Sequence, residues 1–214
     1  LLNASISKAQ LKKGHLWLTL SDGKASITAV IWSSQLQKFD FQPVEGEGVV
    51  IIGKLNFWAV RANLIVQVLE IRPSISTVLR QFEIVRDLLS QEGLLDEARH
   101  RKLPRYPKAI AILTSVPSSA LADMLRTAKE RWPLTSLFII AIPVQGSVAI
   151  KIQSVLQSLA SVTKSLAIEA IILARGGGSR EDLMVFDNEE LCRDLANFPV
   201  PVVTGLGHED DLTV

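Results

Sequence analysis

A guanidinium, three consecutive glycines and a hydroxyl stand together in this chain of 214 residues, as Arg175-Gly176-Gly177-Gly178-Ser179. Three glycines let a backbone come close to a ligand and turn its N–H groups inward. Ser179 and Asp182 have the spacing of a helix cap, and a capped helix start behind a glycine loop suits an anion. The fork of Arg175 matches phosphate oxygens. A plainer reading is a turn needed only for close strand–helix packing. The spacing is neither that of a phosphate-binding loop with its Lys-hydroxyl pair nor that of a dinucleotide fingerprint. A phosphate diester therefore fits better than a nucleoside triphosphate.

A second constellation is His208, which follows the turn Gly205-Leu206-Gly207 and precedes Glu209, Asp210 and Asp211. A histidine so placed can protonate a leaving alkoxide or activate water. Asp211 could orient it or join a metal site; the alternative for His208 is a capping residue at a strand end. Asp123 falls on the helix face opposite Leu121, Leu125 and Trp132, where a solvated carboxylate is the blander role. No Cys or His cluster has zinc spacing. The carboxylates could hold Mg²⁺, although a His–Arg–Asp set can also work without one.

These residues need a scaffold that brings them to one place. Ala109–Thr114, Leu137–Pro143, Ile168–Ala174 and Val200–Thr204 are short apolar runs of the kind buried in parallel sheets. Three helices are predicted between them: one bearing Leu121, Leu125, Ala128 and Trp132, one from about Ser147 to Val162, and one from about Arg180 to Asn197. The alternation predicts an α/β domain with right-handed crossovers. Ligands of such sheets bind beyond the carboxyl ends of the strands. Thr114-Ser115, Gln145-Gly146, the Arg175 loop and the His208 segment all fall at such ends.

The preceding residues read differently. Leu16, Leu18 and Leu20 alternate with His15, Trp17 and Thr19, Ser21-Asp22-Gly23 is a turn, and Ala25–Trp32 would complete a hairpin. Val49–Leu55 and Leu64–Ile71 are two more strands, so that residues 1–73 predict a small barrel of the OB type. This part carries eight Lys and Arg against five acids. Residues 74–108 form a helix (Val78, Leu79, Phe82, Val85, Leu89, with Gly93 as its stop) and a basic, proline-broken linker, Arg99 to Lys108. The linker is either a solvated connector or a contact for a nucleic-acid backbone. Residues 109–214 are the α/β domain.

Composition sets bounds. Net charge is +1, so any affinity for nucleic acid must come from local patches. The single cysteine, Cys192, excludes an internal disulfide, fits a reducing cytoplasm, and reads as a core thiol. No run of 18 apolar residues offers a membrane span. Leu1-Leu2-Asn3 has neither an initiator Met nor a basic leader, and Leu212-Thr213-Val214 stops in mid-pattern; together they read as a fragment.

The run Arg175 to Leu183, with Phe186, Asn188 and Glu189, closely resembles the signature of the exodeoxyribonuclease VII large subunit family. So does Pro201-Val-Val-Thr-Gly-Leu-Gly-His-Glu-Asp-Asp211. Gly14-His15, Gly93-Leu94, Leu113-Thr114-Ser115 and Pro143-Val144-Gln145-Gly146 extend the likeness, in order, over essentially the whole chain. The resemblance implies an OB-fold that binds single-stranded DNA, with His15 and Arg61 among its contacts, followed by a nuclease domain. It maps the essential residues onto Asp123, Arg175, His208 and Asp211, with Gly176, Gly177, Gly178 and Ser179 at the phosphate. It implies hydrolysis of single-stranded DNA from its ends to 5′-phosphorylated products, no obligatory cofactor, and Mg²⁺ as an optional ion. It also implies a cytoplasmic enzyme whose small partner subunit binds a C-terminal region absent here.

Three departures stand out. Asp210 occupies a usual Thr position, Ala59-Val60-Arg61-Ala62-Asn63 lacks the usual Pro and Gly-Asp, and Val116-Pro117-Ser118-Ser119 lacks the usual glycine. They leave open one rival reading, a non-catalytic single-strand-binding subunit related to the nuclease. A second rival from another class is a Rossmann-like nucleotide-binding enzyme, against which the missing pyrophosphate fingerprint counts.

Overall fold

The computed structural model describes residues 1–36, 39, 42–59, 62–143, 148–208 and 212–214, with the side chain of residue 181 left out. Two compact units divide the chain, Leu1–Arg80 and Gln81–Val214.

The first unit is a closed five-stranded barrel. Its strands are β1 (Leu2–Lys12), β2 (His15–Ser21), β3 (Ser26–Ile31), β4 (Gly48–Trp58) and β5 (Asn63–Pro73), in the order β1-β2-β3-β5-β4, and a short helix α1 (Ser33–Leu36) follows β3. All neighbours are antiparallel except β3 and β5. This is the five-stranded barrel expected of an OB-fold. The alternation read in Leu16, Leu18 and Leu20 points Leu18 and Leu20 into the interior with Ile6, Ile31, Ile51 and Val68. Closure depends on β1, which the sequence pattern did not single out. Its residues are mostly small or polar, and a bulge between Ile6 and Lys8 breaks the alternation.

A second bulge lies between Ile52 and Gly53, within the β4–β5 pair. A β-carbon at Gly53 would stand 2.5 Å from Val66 Cγ1 and 2.8 Å from the Gln67 carbonyl oxygen. Glycine is therefore required there by close approach of the two strands.

Helix α2 (Ile75–Gln91) contains the division between the units. It ends as read: Gly93 has φ +68°, its N–H bonds Ser90 O (2.9 Å), and Leu94 N–H bonds Leu89 O (2.9 Å). That pair of bonds is a Schellman closure, completed by the packing of Leu94 near Leu89.

The second unit holds a four-stranded, fully parallel sheet: β6 (Ala109–Thr114), β7 (Ser136–Ala141), β8 (Ala170–Arg175) and β9 (Val202–Leu206), in the order β7-β6-β8-β9. The core strands bury Ala111, Ile112, Leu113, Ile171 and Leu173, which explains their unbroken apolar runs. The helices are α3 (Ser119–Arg131), α4 (Val148–Val162), α5 (Arg180–Leu183) and α6 (Glu189–Ala196).

Two details correct the sequence reading. Trp132 does not lie on the buried stripe of α3; it is the C-cap, 39% exposed. The single helix expected over Arg180–Asn197 is two helices separated by a 3₁₀ turn, Met184–Asp187. Asn188 restarts the chain as N-cap of α6, its side chain accepting from Leu191 N–H at 3.0 Å. The turn buries Asp187, whose carboxylate accepts from Arg180 (2.5 Å) and from Val214 N–H (3.1 Å). Burial pushes the Asp187 carboxyl above its ordinary range, and Arg180 opposes that shift. Among the described residues no helix is long and apolar enough to cross a membrane.

Candidate active site and nucleic-acid interface

The parallel sheet sends the C-terminal ends of β6, β8 and β9 to one edge, and the α/β unit collects its unusual polar residues there. Arg175 is the last residue of β8 and pairs in register with Leu206 of β9. Gly207 N–H adds one more bond, to Arg175 O, at 3.1 Å. The next residue, His208, is thereby carried to the glycine loop. A β-carbon placed on Gly177 would stand 2.0 Å from His208 Cε1 and 2.5 Å from Nε2. The imidazole occupies the space that any other residue at 177 would fill.

Arg175 is held from the other side. Its Nη1 donates to Asp182 O at 2.5 Å, and a β-carbon on Gly178 would come within 3.4 Å of its Nη2. Asp182 also completes a capping box with Ser179: its Oδ2 accepts from Ser179 N–H (3.0 Å), and Ser179 Oγ accepts from Asp182 N–H (3.3 Å). This bears on how an anion could be bound. Helix α5 has only four residues, and the Ser179 amide is already taken by Asp182. The positive element at this edge is therefore the guanidinium of Arg175 rather than a helix dipole. Asp182 was legible only as a cap; its carbonyl grip on Arg175 depends on backbone geometry.

Asp123 lies in the first half of α3, whose start Ser118 caps by accepting from Leu121 N–H (3.2 Å). The helix follows β6 at this same sheet edge and contacts β8. Asp123 is exposed, as its place on the helix predicted, and pairs with Arg126 at 2.7 Å. Both side chains are well solvated, so the pair is weak and easily exchanged. The structure thus joins Arg175, the glycine loop, Ser179 and His208 into one cluster. Asp211, with Asp210 and the Gln145-Gly146 turn, lies outside the described residues. Among those described, no group of three or more His, Cys, Asp or Glu is arranged to hold a metal ion.

The barrel carries a separate feature, an open groove of about 850 Å³. Aromatic rings form one wall. Trp17 stacks on Trp58 (centroids 5.5 Å apart, 20° between planes), and Trp32 stands edge-on to Trp17 at 6.4 Å. Phe57, 65% exposed, continues the surface. Cations form the other part, with Lys8, Lys12 and Lys13 along β1 and the turn after it. His15 is part of the same lining; its Nδ1 accepts from Ser33 N–H (3.0 Å) and its ring meets Trp32 edge-on at 4.9 Å. With Nδ1 so engaged, the proton of the neutral ring sits on Nε2. Stacked rings beside a line of cations suit unpaired bases and their phosphates. By residue type alone Trp17, Phe57 and Trp58 are candidate stackers, roles that compete with core packing. Trp32 and the three lysines join them only in the folded barrel, where β1 and β3 lie on either side of β2. Arg61 lies outside the described residues.

Comparison with known proteins agrees with both halves. Residues 1–72 match a family described as an OB-fold nucleic acid binding domain, and residues 94–214 match one described as exonuclease VII, large subunit. The exodeoxyribonuclease 7 large subunit of Parasynechococcus marenigrum strain WH8102 is 67% identical over 214 residues, covering all of this chain and 55% of that protein. That of Synechococcus sp. strain CC9605 is 66% identical over the same span and share. The large subunit of Carboxydothermus hydrogenoformans, a more distant relative, is 33% identical and is covered over 45% of its length. The chain thus spans about half the length of the curated relatives it matches. With the large-subunit match running over more than half of its residues, and the barrel preceding it, the chain belongs to the exonuclease VII large subunit family.

Proposed function

We propose that this chain is the DNA-binding and nuclease part of an exodeoxyribonuclease VII large subunit, hydrolysing single-stranded DNA from its ends to 5′-phosphorylated products. The observation that carries the reading is the contact of His208 with Gly177 beside Arg175. It supports the reading because a histidine able to give a proton and a cation suited to phosphate stand together at the ends of neighbouring strands β8 and β9.

In this reading the barrel groove takes the strand through stacking and backbone charge. Water attacks phosphorus and releases its proton to solvent, and the guanidinium of Arg175 stabilises the extra negative charge of the pentavalent phosphorane. The P–O3′ bond breaks, and His208 gives its proton to the departing 3′ oxygen, leaving the phosphate on the 5′ end. Asp211 orients His208, and Asp123, once exchanged from Arg126, orients the water. Mg²⁺ is an optional ion in this reading, and Asp123 and Asp211 are the carboxylates that would hold it. Arg61 contributes to DNA grip. The small subunit is the expected partner, through a part of the protein outside this chain, and the cytoplasm is the expected compartment.

The test uses the full-length protein with its small subunit, end-labelled single-stranded and duplex oligonucleotides, and Mg²⁺ or EDTA. Short products from the single strand alone, lost in Arg175→Ala and His208→Ala, are expected. Bound but uncut oligonucleotide under every condition would instead make this a binding subunit.

A further inference from the structure

The strands of the α/β unit have a second edge, at their amino ends. The residues leading into β6 and β7 meet there, because Ala109 pairs with Ser136. Thr135 Oγ1 donates to Pro107 O (2.7 Å) and Ser136 N–H to Lys108 O (2.8 Å), which fixes the two lead-in segments side by side. Tyr106 and Trp132 stack across that junction, centroids 5.3 Å apart and planes at 17°. Arg105 lies over the Tyr106 ring with Cζ 5.3 Å from its centroid. Yet the stack is not core: Tyr106 is 62% exposed and Trp132 39%.

Charge surrounds it. Residues 99–108 contain Arg99, Arg101, Lys102, Arg105 and Lys108 and no acid. Two of these are committed to the end of α6: Arg99 donates to Asn197 Oδ1 (3.3 Å) and Arg101 to Ala196 O (3.1 Å). Lys102, Arg105 and Lys108 make no ion pair among the described residues. The Glu169 carboxylate accepts from the Lys108 backbone N–H (2.5 Å), which leaves the side chains of Lys102 and Arg105 as the cations beside the stack. A planar, solvent-facing stack flanked by such cations has the chemistry of a single-strand platform. Exposed Leu103 and Leu134 are the apolar neighbours.

We propose that Arg105, Tyr106 and Trp132 form a second contact for single-stranded nucleic acid, on the sheet edge opposite the Arg175 loop. The proposal rests on the nucleic-acid substrate reading above. Strands of six residues separate the two edges by about 20 Å. A long strand can therefore touch the platform while its end is at the loop, and a short one cannot.

The test irradiates the full-length protein with a long oligodeoxythymidine carrying 5-iodouracil and maps the crosslinks by mass spectrometry. In parallel it measures the affinity of Arg105→Glu and Trp132→Ala for long and short strands. Crosslinks at Tyr106 or Trp132 are expected, with long-strand affinity reduced about five- to tenfold and short-strand affinity unchanged. Crosslinks confined to the barrel tryptophans would overturn this inference and leave the proposed function standing. No crosslinks anywhere would overturn both. Unchanged DNA affinity, with a co-purifying protein released by Trp132→Ala, would give the surface to a protein partner and overturn it as well. Arg105→Glu removes the cation over Tyr106 and reverses its charge while keeping both rings, so its result is read separately from that of Trp132→Ala.

Discussion

The imidazole of His208 lies against Gly177 so closely that even a methyl group at that glycine would overlap Cε1 and Nε2. The requirement is one of space, since Gly177 is not among the glycines with positive φ. Gly177→Ala should therefore displace the histidine while leaving the fold intact. Misplacing a reacting group by about 1 Å costs about 100-fold in rate, and that loss is expected in kcat with KM little changed. Gly205→Ala is the control: nothing lies within 4 Å of a β-carbon there, and activity should stay within about twofold. Steady-state kinetics of the two variants, with melting curves, make the comparison.

The Trp17–Trp58 stack gives a binding prediction that does not involve cleavage. Trp17→Ala should weaken oligonucleotide binding by about 1–3 kcal/mol, the usual worth of one stacked base. Fluorescence anisotropy with a labelled single strand measures it. Phe57→Ala, which removes an exposed ring, should act in the same direction with little change in melting temperature.

Buried charge predicts a third outcome. Arg180 packs over Phe82 and pairs with Asp187, their side chains only 15% and 2% exposed. Asp187→Ala strands the guanidinium without its carboxylate and should cost about 3–5 kcal/mol in denaturant unfolding. Replacing both, Arg180→Met with Asp187→Leu, should recover most of that loss, because two apolar groups need no partner. Recovery of nothing would show that the Val214 bond to Asp187, rather than the ion pair, holds this turn.

The sequence revealed these features unevenly, for physical reasons. Strands β6 and β8 were legible because burial on both faces demands apolar residues throughout. Strand β1 was missed because Leu2–Lys12 buries only small pieces of itself and its bulge breaks the period. The break between α5 and α6 was invisible because apolar residues continue through Met184–Phe186 at near-helical spacing; what stops the helix is the Asn188 cap and the burial of Asp187. Arg175, the glycines and His208 announced themselves by type. Their mutual contact did not, since it follows from the one-residue extension of pairing between β8 and β9. The Trp32 and Lys8–Lys13 contributions to the groove were hidden for a similar reason, since it is the placing of β1 and β3 on either side of β2 that brings them together.

Cys192 yields a prediction in pH. Burial, with the carboxylate of Asp187 nearby, pushes its thiol up to about 12 from an ordinary 9.0, and Sγ donates to Phe186 O at 3.2 Å. The folded state therefore keeps the proton after the unfolded chain has begun to lose it. The contribution is complete below pH 9 and fades between about pH 9 and 12, by up to about 1.4 kcal/mol per pH unit. Unfolding free energies should fall on that slope in the wild type and more gently in Cys192→Ala. Native protein should also resist thiol alkylation until it is unfolded.

The bond from Gly207 to the Arg175 carbonyl extends the β8–β9 ladder one rung past the strand itself. The backbone that carries His208 departs from that rung, and Arg175 is part of it, so the two main chains stay in register for as long as β8 and β9 stay paired. Heat that opens this ladder separates the two groups at their backbones, while below that point only side-chain torsions can carry the imidazole away from Gly177.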